Sequence, residues 1–385
     1  MKHAILIPDS FKGTLSSTEI CSVLRSEILR RFPDCVISCV PVADGGEGSV
    51  DCFLTALGGK RIPATVRGPF GEPVDAFFGL LPDGKTAIVE MAACAGLPLA
   101  EGRLDPLRAT TFGVGELFLA AARLGASRII VGLGGSATND GGCGAAAACG
   151  VRFLNRSGEL FVPTGGTLAQ IAHIDISGLS PSLRDVQFTA MCDIDNPLYG
   201  PNGAAAVFSP QKGASVSQVT LLDDGLRSLS AVISRDLSCE VALLPGGGAA
   251  GGMGAGMSAF FGASLRSGID IVLDTVRFDR MLQTADWVFT GEGRLDSQSL
   301  RGKVVIGVAQ RAKAAGIPVI AVVGDAENNL DGAYEAGVTA VFPINRRARS
   351  FQEIRHLSRS FLAQTAGDIL RLIARAEQLR SEPSK

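Results

Sequence analysis

His3-Ala4-Ile5-Leu6-Ile7-Pro8-Asp9-Ser10-Phe11-Lys12-Gly13-Thr14 reads as a buried strand that runs into a polar loop. A helix follows from Ser16, with Ser16 as N-cap and Glu19 at the capping-box position. It continues to about Phe32, where Pro33 stops it. The unit then repeats. Val36 to Val42 is a second strand, Ala43-Asp44-Gly45-Gly46-Glu47-Gly48 is its loop, and a second helix ends at Gly58-Gly59. Strand, loop and helix taken twice is the doubly wound pattern, in which ligands sit at the carboxyl ends of strands. Both acidic loops fall there.

Further along, the texture changes. Short strands at 61–67, 74–81 and 86–91 are divided by turns at 68–71 and 82–84. A helix over 112–124 and the apolar strand Ile129-Ile130-Val131 lead to Gly132-Leu133-Gly134-Gly135-Ser136-Ala137-Thr138-Asn139-Asp140-Gly141-Gly142. The small residues from Gly144 to Cys149 then start a helix. Five glycines in that loop allow close approach of backbone to ligand, and a following helix N-terminus favours an anion, so it reads as a polyphosphate site. Strands near 151–154 and 186–191 and an amphipathic helix over 216–237 follow. After Asp270 the strand–helix alternation returns, with strands at 286–290, 317–323 and 338–343 and helices at 303–315, 330–336 and 351–379. The two ends share one texture and the middle has another. The expected fold is α/β in two domains. Residues 1–74 and 268–385 form a doubly wound, Rossmann/flavodoxin-like domain, a mixed α/β domain is inserted at 75–267, and the active site lies in the cleft between them.

Composition narrows the function. The chain has 385 residues, 46% of them hydrophobic, enough for sizeable cores. Its net charge of −2 offers no nucleic-acid surface, so an anionic substrate must be met by locally placed cations. Nine scattered cysteines without a Cys-x-x-Cys pair fit a reduced, cytoplasmic protein. The first apolar run is too short for a signal peptide. Val241 to Leu265 carries no charge and is long enough to span a bilayer, but Pro245 and eight glycines disfavour a stable helix there. No membrane or nucleic-acid partner is expected; a homodimer stays open.

Two motif matches are weak. Gly79 to Thr86 fits the P-loop expression, yet Pro82-Asp83-Gly84 is a turn sequence and Thr86 to Glu90 has strand character, so a hairpin is expected. Gly246-Gly247-Gly248-Ala249-Ala250-Gly251 fits the dinucleotide fingerprint after only a short strand, Val241 to Leu244, that ends in Pro245. The stronger signal is a set of glycine-rich loops carrying Asp9, Asp44 with Glu47, Asp140, Asp193 with Asp195, and Glu292 with Asp296. Phosphoryl transfer needs such a set: a base, carboxylates for Mg²⁺, and cations and amides for phosphates. Lys12, Lys212, Arg294 and Lys303 are the cations in or beside these loops.

Together these loops resemble the bacterial glycerate kinases of the glycerate kinase type-1 family. The resemblance rests on Pro8 to Leu15, Val42 to Gly48, Gly132 to Gly142, Cys192 to Gly203, Ala204 to Gly213 and Thr290 to Ser297, and runs from about residue 3 to 375. One departure is Gly247, where the family pattern has alanine. The resemblance implies phosphorylation of D-glycerate by ATP with Mg²⁺, on the 2-hydroxyl, to give 2-phosphoglycerate. Roles then follow from chemistry. Asp193 is the expected general base, with Asp44 as the alternative, and Asp140, Asp195 and Glu292 are the expected Mg²⁺ ligands. Gly134, Gly135, Ser136, Thr138 and Asn139 should cradle phosphate, with Gly247 and Gly248 beside them. Ser10, Lys12 and Arg294 should meet the glycerate carboxylate or the transferring phosphoryl group. Two other readings compete: a nicotinamide-dependent oxidoreductase using Gly246 to Gly251, and a sugar-acid sensor with a basic cluster at Arg346, Arg347 and Arg349. Glycerate 3-kinase regiochemistry is a third.

Overall fold

The computed structural model describes residues 1–42, 45–296 and 303–381. The chain divides into two compact units, Met1–Ala43 with Ile269–Lys385, and Asp44–Gly268. Strands are numbered along the chain. β1 (His3–Pro8) and β2 (Val36–Cys39) open the first unit, with helix Ser17–Arg31 between them. Ser16 caps that helix as expected: its hydroxyl accepts from the Glu19 N–H at 3.2 Å and the Glu19 carboxylate accepts from the Ser16 N–H at 2.9 Å. Such a reciprocal cap satisfies two backbone donors that the first turn leaves open.

The second unit holds β3 (Lys60–Arg67), β4 (Pro73–Leu80), β5 (Thr86–Glu90), β6 (Arg128–Gly132), β10 (Gln187–Met191) and β11 (Ser264–Arg266) in one sheet, ordered β11-β10-β6-β5-β4-β3. Within it β5, β6, β10 and β11 run parallel, while β3 and β4 are antiparallel to their neighbours. A separate small sheet is made of β7 (Arg152–Leu154), β8 (Leu160–Phe161) and β9 (His173–Asp175). β3 pairs with β4 from Lys60↔Leu80 to Arg67↔Pro73, which ties residues 60–67 into this sheet. That pairing corrects the expected boundary, since the second unit begins at residue 44 and not 75. The P-loop lookalike is a hairpin. Gly84 takes φ +63°, and the Asp83 carboxylate accepts from the Lys85 and Thr86 N–H groups at 2.9 and 2.8 Å. Phe118, Phe188 and Phe261 stack edge-on or tilted with ring centroids 5.1 to 5.4 Å apart. They pin helix Phe112–Arg123 and the end of helix Ala249–Phe261 onto β10.

The chain then returns to the first unit with β12 (Trp287–Gly291), β14 (Val319–Val323) and β16 (Val338–Pro343), and a short pair, β13 (Arg294–Leu295) with β15 (Asp325–Ala326). The five-stranded sheet is ordered β16-β14-β12-β1-β2 and is parallel throughout. Counted within the unit this is the order 2-1-3-4-5, the flavodoxin-like form of the doubly wound fold. Ile20, Leu24, Leu362 and Ile369 bury one face of it. The helix expected over 351–379 is interrupted: Phe351–Ile354 leads through a tight turn at Arg355–Leu357 into Ser358–Ser381. No helix among the described residues is long and apolar enough to cross a membrane.

Candidate active site

A parallel sheet ordered 2-1-3-4-5 has its switch point between its first and third strands, here β1 and β12, where crossovers diverge to opposite faces and leave a crevice. The loops leaving those strands are stitched together. The Asp9 N–H donates to the Gly291 carbonyl at 2.8 Å, and the Gly324 and Asp325 N–H groups donate to the Glu292 and Gly293 carbonyls at 3.0 and 3.1 Å. A Cβ on Gly293 would lie 3.3 Å from the Lys12 backbone nitrogen, so the two loops touch. The structure therefore gathers Ser10, Lys12, Glu292 and Arg294 at one edge of the first unit. Glu292 is buried there, Lys12 and Arg294 are exposed, and Arg294 lies 3.8 Å from the Glu327 carboxylate. The Ser10 N–H donates to Asp9 Oδ1 at 2.6 Å.

In the second unit the loops leaving β5, β6, β10 and β11 share the carboxyl edge. Asp193 and Asp195 follow β10 and are exposed. Asp193 Oδ1 accepts from the Gly268 N–H, beyond β11, at 2.8 Å. The loop after β6 packs against Gly45 and Gly46. The Gly134 N–H donates to the Gly45 carbonyl at 3.0 Å, and a Cβ on Gly134 would meet Gly46 Cα at 2.6 Å. Only glycine fits that approach.

Asp140 closes this loop and is fully buried. Its carboxylate accepts from the N–H groups of Thr111, Gly142 and Gly144 at 2.8, 3.1 and 3.2 Å and from the Thr111 hydroxyl at 2.9 Å. Burial pushes its pKa up, against these hydrogen bonds. The Thr111 hydroxyl in turn accepts from the Ala145 N–H at 2.9 Å. Two first-turn amides of helix Cys143–Ala148 are thus filled by protein side chains, which overturns the expectation of a phosphate at that helix start. The same donors occupy the oxygens of Asp140, so the metal role expected for it does not fit. Gly247 and Gly248 are likewise corrected. Their N–H groups donate to the Leu244 and Asn196 carbonyls at 2.8 and 3.0 Å. No strand precedes them, and Ala250, Gly251 and Gly252 are left-handed, which a dinucleotide fingerprint does not permit. Gly251 instead lies on the β6 loop, where a Cβ would sit 2.1 Å from the Thr138 carbonyl.

Lys212 is the surprise. It is 2% exposed, and its Nζ donates to Ser136 Oγ at 2.8 Å and to the Thr138 carbonyl at 2.6 Å. Burial pulls its pKa down to about 7, and nearby Asp140 opposes that. Asn139 and Thr138 beside it are wholly buried, and Asn139 Oδ1 and Nδ2 and Thr138 Oγ1 find no hydrogen-bond partner. Gly135 forms the exposed rim of the loop. Glu90, unremarked in the sequence reading, ends β5 and is buried; its carboxylate accepts from the Gly48 and Val50 N–H groups at 3.2 and 2.5 Å and caps helix Ser49–Leu57. A carboxylate closing an otherwise apolar strand was the available signal. Asp44 lies outside the described residues. The basic cluster meets acids instead: Arg346 pairs with Asp368 at 2.8 Å and Arg349 with Glu353 at 3.8 Å.

Among the described residues no three His, Cys, Asp or Glu side chains gather as one metal-ligating group. Glu292, Asp193 and Asp195 are hard oxygen donors of the kind Mg²⁺ takes one or two at a time, completing its shell with water and phosphate. That donor chemistry fits; the Asp140 carboxylate does not.

The whole chain has relatives. The model of the Glycerate kinase family matches residues 4–374. A Bacillus subtilis (strain 168) protein named Glycerate kinase is 44% identical over 376 residues, 97% of this chain and 98% of that one. An Escherichia coli (strain K12) protein named Glycerate 2-kinase is 46% identical over 342 residues, 88% of this chain and 90% of that one. A crystal structure from Salmonella typhimurium LT2 superposes with a TM-score of 0.87 at 40% identity, covering 98% of this chain and 99% of that one. With a match from the first strand to the last helix, and kinase-type loops at the carboxyl edges of both sheets, the chain belongs to the glycerate kinase family.

Proposed function

We propose that this kinase transfers the terminal phosphoryl group of ATP to the 2-hydroxyl of D-glycerate, releasing 2-phosphoglycerate and ADP. The observation that carries the reading is the 46% identity with the Escherichia coli protein named Glycerate 2-kinase. The residues support it. Asp193 is exposed on the loop after β10 and held by one backbone amide, which orients a carboxylate while leaving acceptor capacity for the hydroxyl proton. Asp44 is the alternative base. Lys12 and Arg294 supply charge for the glycerate carboxylate or the transferring group, with Ser10 as a further donor. Gly135, Ser136, Thr138 and Asn139 serve the phosphate. Glu292 and Asp195 would hold Mg²⁺, which when bound neutralises phosphate charge. A cytoplasmic site of action accords with nine cysteines outside any disulfide.

A coupled ADP-release assay tests this directly. D-glycerate should support ADP release, and phosphorus NMR should show the phosphate on carbon 2. Absence of glycerate-dependent ADP would sink the assignment, and a 3-phosphate would sink the regiochemistry.

A further inference from the structure

We propose that Lys212, Asn139 and Thr138 form a buried oxyanion subsite, which takes a phosphoryl or carboxylate group of a ligand through the Lys212 ammonium, the Asn139 amide and the Thr138 hydroxyl. The proposal deepens the kinase reading and rests on it for the identity of the anion. Three observations converge. An ammonium has three donors, and two of those on Lys212 go to Ser136 Oγ and the Thr138 carbonyl, which aims the third away from both. Asn139 is fully buried with both ends of its amide unpaired, and the adjacent Thr138 hydroxyl is unpaired as well. A buried polar group without a partner costs folding free energy, so a pair of them beside a buried cation needs an explanation. An anion supplies it for the donors: it accepts from the Lys212 ammonium, the Asn139 Nδ2–H and the Thr138 hydroxyl together.

The neighbouring carboxylate does not compete as acceptor, because the oxygens of Asp140 already accept from Thr111, Gly142 and Gly144. The two sides of the subsite come from distant sequence, the loop after β6 and the turn Pro210–Lys212, and Lys212 joins them. Gly135 is exposed and Gly134 half-buried, so the loop that carries Thr138 and Asn139 reaches the surface a few residues earlier, at positions without side chains. The bland alternative is a structural peg, in which Lys212 merely fixes the loop and Asn139 is a tolerated packing defect.

Calorimetric titration of the full chain with pyrophosphate and, separately, D-glycerate separates these. Asn139→Leu keeps the side-chain volume and removes the unpaired amide. The subsite predicts a raised thermal midpoint together with at least tenfold weaker binding of one of the two anions. Weakened pyrophosphate identifies a phosphoryl ligand, and weakened D-glycerate a carboxylate. Lys212→Gln should weaken the same anion, and if it fails to fold, Asn139→Leu still decides. A raised midpoint with both affinities unchanged would overturn the subsite and leave the peg. Loss of binding in Asn139→Leu in a protein whose wild type shows no glycerate-dependent ADP release would retain the subsite and overturn only the kinase reading.

Discussion

Asp140 and Asp193 both sit in glycine-bearing loops at the carboxyl edge of the parallel strands of one sheet, yet their surroundings are opposite. Asp140 is wholly buried and accepts from three backbone amides and two hydroxyls, those of Thr110 and Thr111. Asp193 is exposed, and its Oδ1 accepts from the Gly268 N–H. A carboxylate surrounded by fixed donors organises the chain around it. An exposed one, oriented by a backbone amide, is placed where a substrate can reach it. The difference separates a scaffold acid from the acid we propose as the base, and two substitutions should break the comparison in opposite ways.

The largest expected effect is on activity at Asp193. Asp193→Asn keeps the contact to Gly268 and removes the basic oxygen, so kcat should fall by about 10²- to 10⁴-fold, the usual contribution of a positioned base. Its denaturation midpoint should stay near wild type, since exposed substitutions are usually within about 0.5 kcal/mol. Steady-state kinetics beside a urea titration checks both; near-normal kcat would pass the role to Asp44. Asp140→Ala should do the reverse. It strands the amides of Thr111, Gly142 and Gly144, and at about 1–3 kcal/mol for each buried donor left unpaired the loss should reach several kcal/mol. The urea midpoint should drop sharply. A stable Asp140→Ala protein with lost Mg²⁺ dependence would restore the metal role instead.

Much of this was legible before any coordinates, and the reasons are local. Ser16 with Glu19, Pro82-Asp83-Gly84 and the strand–loop–helix alternation at both chain ends announce themselves within a few residues, because caps, turns and periodicity are short-range physics. The glycine loop after β6 was equally visible, but its use was not. Whether its amides are open depends on Thr111 and Gly45, which lie about 30 and 90 residues upstream by a general count of the chain and approach only through the sheet. For the same reason Lys212 reads only as one of four cations in or beside the acidic loops, while folding buries it against Ser136 and Thr138. The domain boundary failed on strand partnership: residues 60–67 look like either unit's strand until β3 meets β4.

A third acid sharpens the contrast at the smallest scale. Glu90 is buried like Asp140 but, among the described residues, accepts from two amides, those of Gly48 and Val50. Burial dominates its titration and raises its pKa above the ordinary value of 4.5, with the two amides opposing. The native chain therefore keeps a proton on Glu90 in a window above pH 4.5 where the unfolded chain has released it. Stability must fall as pH rises through that window, because the native state binds more protons there. Glu90→Gln is nearly isosteric with the protonated acid and does not titrate. At pH 4 the variant and wild type should agree within about 1 kcal/mol, the net worth of one hydrogen bond. As pH rises the wild type should lose stability relative to Glu90→Gln and then level off. Urea midpoints of the two proteins from pH 4 to 8 measure this. A wild type that gains on the variant as pH rises would mean that the Gly48 and Val50 amides outweigh burial, placing Glu90 with the donor-satisfied acids rather than between them and Asp193.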